Sequence, residues 1–374
     1  MNRKSIALSA IIGVVSVWFS SHAGAGFATG RQEVSYFVSY GFHAIWIGFF
    51  AMLITGASIF IGLEMARIYQ VYDYKNWLKI LFAPYSTVPA LLWEIFYLYG
   101  AIIATGAAIA GGADLVRQAL HIPYGIGVIM VGSLLLLLTI FGSGLVRHFS
   151  TGMAIFMIIA IITVAVLGIK LGSANLTNIV DEKTTTAGFG KIVWMAFLYG
   201  AFQSILVAPV ISVAEPLKTR KNNIIAAVLG TVVNGMMLTF ICIMLLGFFP
   251  SIAKENLPVY YVTCLLKFTW LKILYSFLLF FALVSTGVGL IYGIVKRFEV
   301  AWSKGSGIFR NLHARRITIC ILSMLIAALI SLAGLTRIVN VGYYTLGIIS
   351  IFLNIIPLFL IAPFRLIKKG VKPK

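Results

Sequence analysis

The sequence predicts an all-α polytopic membrane protein of ten transmembrane helices, arranged as two halves of five. Three observations carry that prediction: the composition, the lengths of the apolar segments and the placement of basic residues. Of 374 residues, 61% are hydrophobic and 10% are charged, with a mean hydropathy of +1.02. A soluble domain is nearer half apolar and a quarter charged. Apolar segments long enough to cross a bilayer run over 5–38, 43–66, 88–112, 123–146, 148–171, 190–214, 223–249, 269–294, 316–334 and 339–364. With the N-terminus inside, twenty of the 29 Lys and Arg fall on the cytoplasmic side, at 3–4, 67–79, 147, 218–221, 296–316 and 365–374. That bias is the one membrane proteins use to set orientation. It places both termini in the cytoplasm. It also accounts for the net charge of +19 without a nucleic-acid partner. Cys242, Cys264 and Cys320 are scattered and suggest neither a disulfide framework nor a metal knot.

The first span carries the most informative stretch, "WFSSHAGAGFATGRQEVSYF" at 18–37. A basic start, an apolar run and small residues near Ala23 and Ala25 also spell a signal peptide. Cleavage there would leave nine spans. Ten spans instead divide five and five, and an odd number per half forces the halves into opposite orientations. Inverted repeats of this kind bind solutes where discontinuous helices meet. Matching interruptions are therefore expected in spans 1 and 6, with halves at about 5–172 and 189–366. In span 1, Ser20, Ser21, His22, Gly24, Gly26 and Thr29 form a contiguous block. Such a block covers every face of a helix, so packing does not explain it. Span 3 shows the packing pattern for contrast: Gly100, Ala104, Ala108 and Gly112 make a small-residue stripe. Span 6 offers "FLYGAFQSILVAP" at 197–209, with a second interruption expected near 199–204.

A broken helix exposes free N–H groups at one half and free C=O groups at the other. The first attract a carboxylate and the second a cation. The expected substrate set is Ser21, His22, Gly24, Ala25, Gly26 and Phe27 at the first break. Tyr199, Gly200, Ala201, Phe202, Gln203 and Ser204 belong to the second, with Tyr97 as a further aromatic wall. A zwitterion such as an amino acid suits these groups. Glu94 lies roughly 9 Å into span 3 at about 1.5 Å per residue. Ionisable groups inside a bilayer are functional candidates, so Glu94 and His22 are candidate proton carriers.

"SHAGAGFATGRQ" resembles the signature of the YkvI-type bacterial membrane proteins, distant relatives of the amino acid–polyamine–organocation transporters. That resemblance implies the LeuT fold: a five-plus-five inverted repeat, solute held by the breaks of helices 1 and 6, and a sodium ion between helices 1 and 8. Ala282, Ser285 and Thr286 resemble the Ala-x-x-(Ser/Thr)-(Ser/Thr) pattern of sodium-coupled members. Carbonyls of Ser20 and Ala23 would complete the oxygen set. Arg31 stands where many members carry an outer-gate arginine, paired with an acid in helix 10. No Asp or Glu follows Glu299 here, so a gate of Arg31 with Glu33 is expected instead.

Together these readings predict a secondary transporter, not an enzyme, moving a small zwitterion by alternating access with Na⁺ or H⁺. No organic cofactor is expected; the partners are a small-molecule substrate and the lipid bilayer. The alternatives are a channel-like or uncoupled exchanger of the same fold and a non-transporting sensor or scaffold. A channel would want polar stripes along several helices. A membrane enzyme would want clustered His, Asp or Glu, whereas His22, His43, His121, His148 and His313 are dispersed.

Overall fold

Helices make up all the long elements, as hydrocarbon surroundings require of a backbone that must pair its own N–H and C=O groups. The structure, a computed structural model, describes residues 3–141, 143–301 and 311–370. The Ala25 side chain lies outside the described residues. So do the side chains of Arg3, Lys4, Arg147, Lys368 and Lys369, and the whole of Lys304, Arg310, Lys372 and Lys374.

The first apolar segment is three helices: α1 (Arg3–His22), α2 (Ala25–Thr29) and α3 (Arg31–Tyr36). Then come α4 (Ala44–Tyr69), the short α5 (Tyr74–Phe82), α6 (Thr87–Leu120), α7 (Tyr124–Phe141), α8 (Ser143–Leu171) and α9 (Ser173–Asp181). The rest of the chain forms α10 (Phe189–Ile211), α11 (Arg220–Leu246), α12 (Pro258–Leu265), α13 (Thr269–Ala301), α14 (Leu312–Ser331) and α15 (Leu335–Ile367). Starts are capped where the sequence supplies acceptors. Asp73 accepts from Asn76 N at 2.9 Å, Thr219 from Asn222 N at 3.2 Å and Asn311 from His313 N at 2.9 Å.

Among the described residues, eight helices are long and apolar enough to cross a membrane. A ninth arises if Ile155–Leu171 and Ser173–Asp181, bent by 69°, form one span. Ala7–His22 is apolar but shorter. The first segment is interrupted twice, after His22 and at Gly30.

The two halves of the chain interleave. α4 packs chiefly on α11, α6 on α13, and α1 on α11. Trp18, fully buried, seats its ring where a side chain at Gly230 would stand, locking α1 to α11. Outward positions carry exposed Leu53, Ile129, Phe277, Leu329 and Phe352. So broad an apolar surface suits hydrocarbon, not water.

Candidate functional site

The break in the first segment falls within the Gly-rich block. α1 closes with Ala23 N donating to Phe19 O at 2.7 Å. Gly24 is extended (φ −65°, ψ −166°) and starts α2, with Ala28 N donating to Gly24 O at 3.1 Å. A second interruption follows at Gly30, whose φ of +80° suits glycine. A Cβ there would stand 2.7 Å from Val259 Cγ2, so Gly30 is also the contact by which the first segment docks on α12.

The expected second break is corrected. α10 runs as regular helix through 199–203 and only tightens to a 3-10 turn over Ser204–Leu206 before resuming. Gly200 is a packing glycine. A Cβ on it would lie 2.6 Å from Ala51 O and 3.0 Å from Ile54 Cβ. Its carbonyl accepts from Thr55 Oγ1 at 3.3 Å. Ser204 Oγ donates to Ala201 O at 2.6 Å, within its own helix. The small residues serve α4–α10 contact instead of exposing backbone.

His22 sits at the end of α1 and is buried. Its Nδ1 is 2.8 Å from Asn234 Oδ1 and its Nε2 is 2.9 Å from the Tyr199 hydroxyl. Asn234 spends its amide N–H on Gly230 O at 2.8 Å. Its Oδ1 is therefore the acceptor for His22 Nδ1–H, and His22 Nε2 accepts from Tyr199. The Phe27 ring is 5.0 Å from His22. Tyr199 meets Tyr36 at 5.3 Å, Phe37 at 5.0 Å and Phe202 at 6.3 Å, and Phe202 meets Tyr343 at 5.0 Å. The structure thus brings His22, Phe27, Tyr199 and Phe202 together. Asn234 and Tyr343 complete the cluster and were not among the expected residues. A lone Asn within the apolar run of α11 was the available signal, because a polar side chain there needs a partner.

Beside this cluster lies a cavity of about 140 Å³ lined by Ser20, Ala23, Gly24 and Phe27 from the break and by Ala282, Ser285 and Thr286 from α13. All five expected ion ligands surround it. Ser285 Oγ donates to Ala282 O at 3.1 Å and Ser20 Oγ to Val17 O at 3.1 Å. Both hydroxyl oxygens keep lone pairs. Oxygens of this type suit a hard cation. Among the described residues no group of three His, Cys, Asp or Glu could hold a metal ion.

Three further expectations are corrected. Gly26 does not offer open backbone, since the Gln32 amide folds back into the space a side chain at Gly26 would fill. Gln32 is buried. Arg31 does not pair with Glu33, because residues two apart on a helix face different ways. Its guanidinium donates to Ala253 O at 3.0 Å, Glu255 O at 2.8 Å and Ser35 Oγ at 3.2 Å. Tyr97 lies in a separate cluster with Glu94. There Arg297 binds Glu94 at 2.6 Å, lies 3.9 Å above the Tyr97 ring and also contacts the Tyr74 hydroxyl. Tyr74 donates to Glu94 at 2.9 Å. Glu94 therefore ties α5, α6 and α13 together, as a paired charge inside a membrane protein must.

No family model matches the chain. It is similar to the uncharacterised membrane protein YkvI of Bacillus subtilis (strain 168), 22% identical over 343 residues that cover 90% of this chain and 91% of YkvI. Among solved structures, a mutant of the Eremococcus coleocola manganese transporter superposes with a TM-score of 0.56 at 14% identity, covering 95% of this chain and 79% of that one. Mhp1, a nucleobase-cation-symport-1 family transporter with bromovinylhydantoin bound, gives 0.54 at 12% identity, covering 88% and 74%. A Na⁺-coupled sialic acid symporter gives 0.50 at 13% identity, covering 97% and 98%. The chain has the LeuT fold. Its resemblance to YkvI-type membrane proteins, first read from one motif, holds along nearly its whole length.

Proposed function

We propose that this protein is a secondary transporter of a small zwitterionic solute, an amino acid, driven by Na⁺ or H⁺ through alternating access. The observation that carries the reading is the backbone break at Ala23 and Gly24, set against Ser285 and Thr286 of α13 around one cavity. Free helix ends and hydroxyls meeting within a membrane are what a charged solute and its coupling ion need. The neighbours of like fold are transporters by their own descriptions.

The reading includes ten spans in inverted halves of about 5–172 and 189–366. In that arrangement α1 to α3 form one broken span, and α8 with α9 forms another. It is supported by the packing of α4 on α11 and α6 on α13, which pairs spans five apart. Both termini are cytoplasmic in this reading, in a bacterial inner membrane.

A thermal-unfolding screen of the purified full chain with alanine, serine and glycine tests it. A ligand at about 100 times its Kd stabilises the folded state by about 2.7 kcal/mol. The expected result is a rise in Tm with at least one of these amino acids, larger in Na⁺ than in choline at constant pH if sodium is the coupling ion. No rise with any of them, in either medium, contradicts the amino acid cargo.

A further inference from the structure

Glu33 is the most unusual charge-bearing residue in the molecule. It is fully buried on α3, and among the described residues neither carboxylate oxygen has a hydrogen-bond partner. The groups within electrostatic reach are Tyr199 of α10, Cys242 of α11, Tyr275 of α13 and its own neighbour Arg31. None donates a hydrogen bond to the carboxylate, Arg31 being a cation within reach but not in contact. Tyr199 is committed to His22, Tyr275 donates to Ala28 O at 2.6 Å, and Arg31 is spent on loop carbonyls and Ser35. Tyr343 faces Gln32 and Tyr36. Every other buried acid among the described residues makes a direct ion pair: Glu64 binds Arg67 at 2.9 Å and Asp114 binds Arg117 at 2.8 Å.

An unpaired carboxylate cannot stay ionised in such surroundings and takes up a proton instead. We infer that Glu33 is a proton-binding site, holding a neutral carboxylic acid in this conformation and releasing the proton when α3 moves. The motion has a structural basis. α3 is bounded by the Gly30 turn, and its Arg31, Ser35 and Tyr36 line a neighbouring cavity of about 360 Å³ from which Glu33 is turned away. A tilt about Gly30 that brought Glu33 to this cavity would hydrate the carboxyl and let it ionise. Binding is the single step –COO⁻ + H⁺ → –COOH, so a solute whose movement requires that tilt travels with one proton. This inference rests on the transporter reading for its consequence, and on burial alone for the proton.

Infrared spectroscopy of the full chain in lipid at neutral pH tests the proton directly. The chain has only 10 acidic residues, so the background of protonated carboxyl bands is small. The expected result is a carboxylic C=O band in the wild type that is absent in Glu33→Gln and retained in Glu94→Gln. A wild type without the band, or a band unchanged in Glu33→Gln, overturns the inference. Should Glu33→Gln fail to insert, Glu33→Asp keeps an acid there and must shift the band; an unshifted band again overturns it.

The coupling is read separately in proteoliposomes with radiolabelled alanine, serine and glycine. Glu33→Gln should lose the response of uptake to a pH gradient at least tenfold while exchange at equal pH stays within about twofold. Gradient-driven uptake that survives in Glu33→Gln overturns the coupling role. Absence of uptake and exchange in both proteins sinks the amino acid reading, and the infrared result then still decides whether Glu33 holds the proton.

Discussion

The first membrane segment and α10 look alike as strings of small, polar and aromatic residues, yet one is broken and the other is not. In the first, the chain leaves helical geometry at Ala23 and Gly24 and turns again at Gly30. In α10, the backbone continues through Gly200 and only tightens at Ser204–Leu206. The difference is contiguity. Six of the seven residues from Ser20 to Gly26 are Ser, Ala or Gly, leaving no face of the helix with enough side chain to pack. Gly200 and Ala201 are instead flanked by Tyr199 and Phe202, which bury into neighbours and hold the helix together. A run of small residues breaks a membrane helix; a pair of them makes a close contact.

The sharpest way to stress that contrast is at Gly30. Gly30→Ala combines a left-handed backbone, worth about 1–2 kcal/mol, with overlap on Val259, worth about 1–3 kcal/mol. A loss of roughly 2–5 kcal/mol in unfolding stability is expected, measured by thermal unfolding in detergent. In α10, Gly200→Ala should cost about 1–3 kcal/mol by overpacking against Ala51 and Ile54, while solute affinity per folded molecule stays unchanged. Loss of affinity without loss of stability would make Gly200 a binding residue after all.

On the ion side, Ser285→Ala or Thr286→Ala removes one of about five oxygens, with a cost of roughly 1–3 kcal/mol by analogy with a lost buried partner. The Na⁺ concentration for half-maximal solute binding should rise about five- to 150-fold, with near-normal binding at saturating Na⁺, because linkage is reciprocal. A titration of solute binding against Na⁺ reads it out. The smallest effect belongs to Gly24→Ala. Its Cβ would meet only Ser21 O and Thr286 Oγ1, both at 3.8 Å, and its φ of −65° is open to alanine. Stability should change by less than about 0.5 kcal/mol. A large loss of Tm would mean the break needs glycine for its conformation as well as its space.

Much of this was legible in the sequence, for reasons that can be named. The Gly block announced the first break because it departs from any packing stripe. Ala282, Ser285 and Thr286 pointed to the α13 wall through their resemblance to the pattern of sodium-coupled members. Gly200 misled because a packing glycine and a hinge glycine read the same when the partner helix is unknown. Gln32 was invisible for a different reason, since its return to Gly26 depends on the turn at Gly30. Tyr97 and Glu94 were drawn to Arg297, far away along the chain, and no local pattern records such a pairing. Glu33 was linked to Arg31 by proximity in sequence, and helix geometry sends the two side chains apart.

The claim at the centre of this account is that the Ala23–Gly24 break, together with α13, forms the solute site. Counterflow of radiolabelled alanine, serine and glycine in proteoliposomes tests it most directly, comparing wild type, Gly24→Leu and Gly200→Ala at equal amounts of folded protein. The account predicts exchange in wild type and in Gly200→Ala, and at least a tenfold loss in Gly24→Leu, whose side chain would fill the 140 Å³ cavity. Undiminished exchange in Gly24→Leu would contradict it.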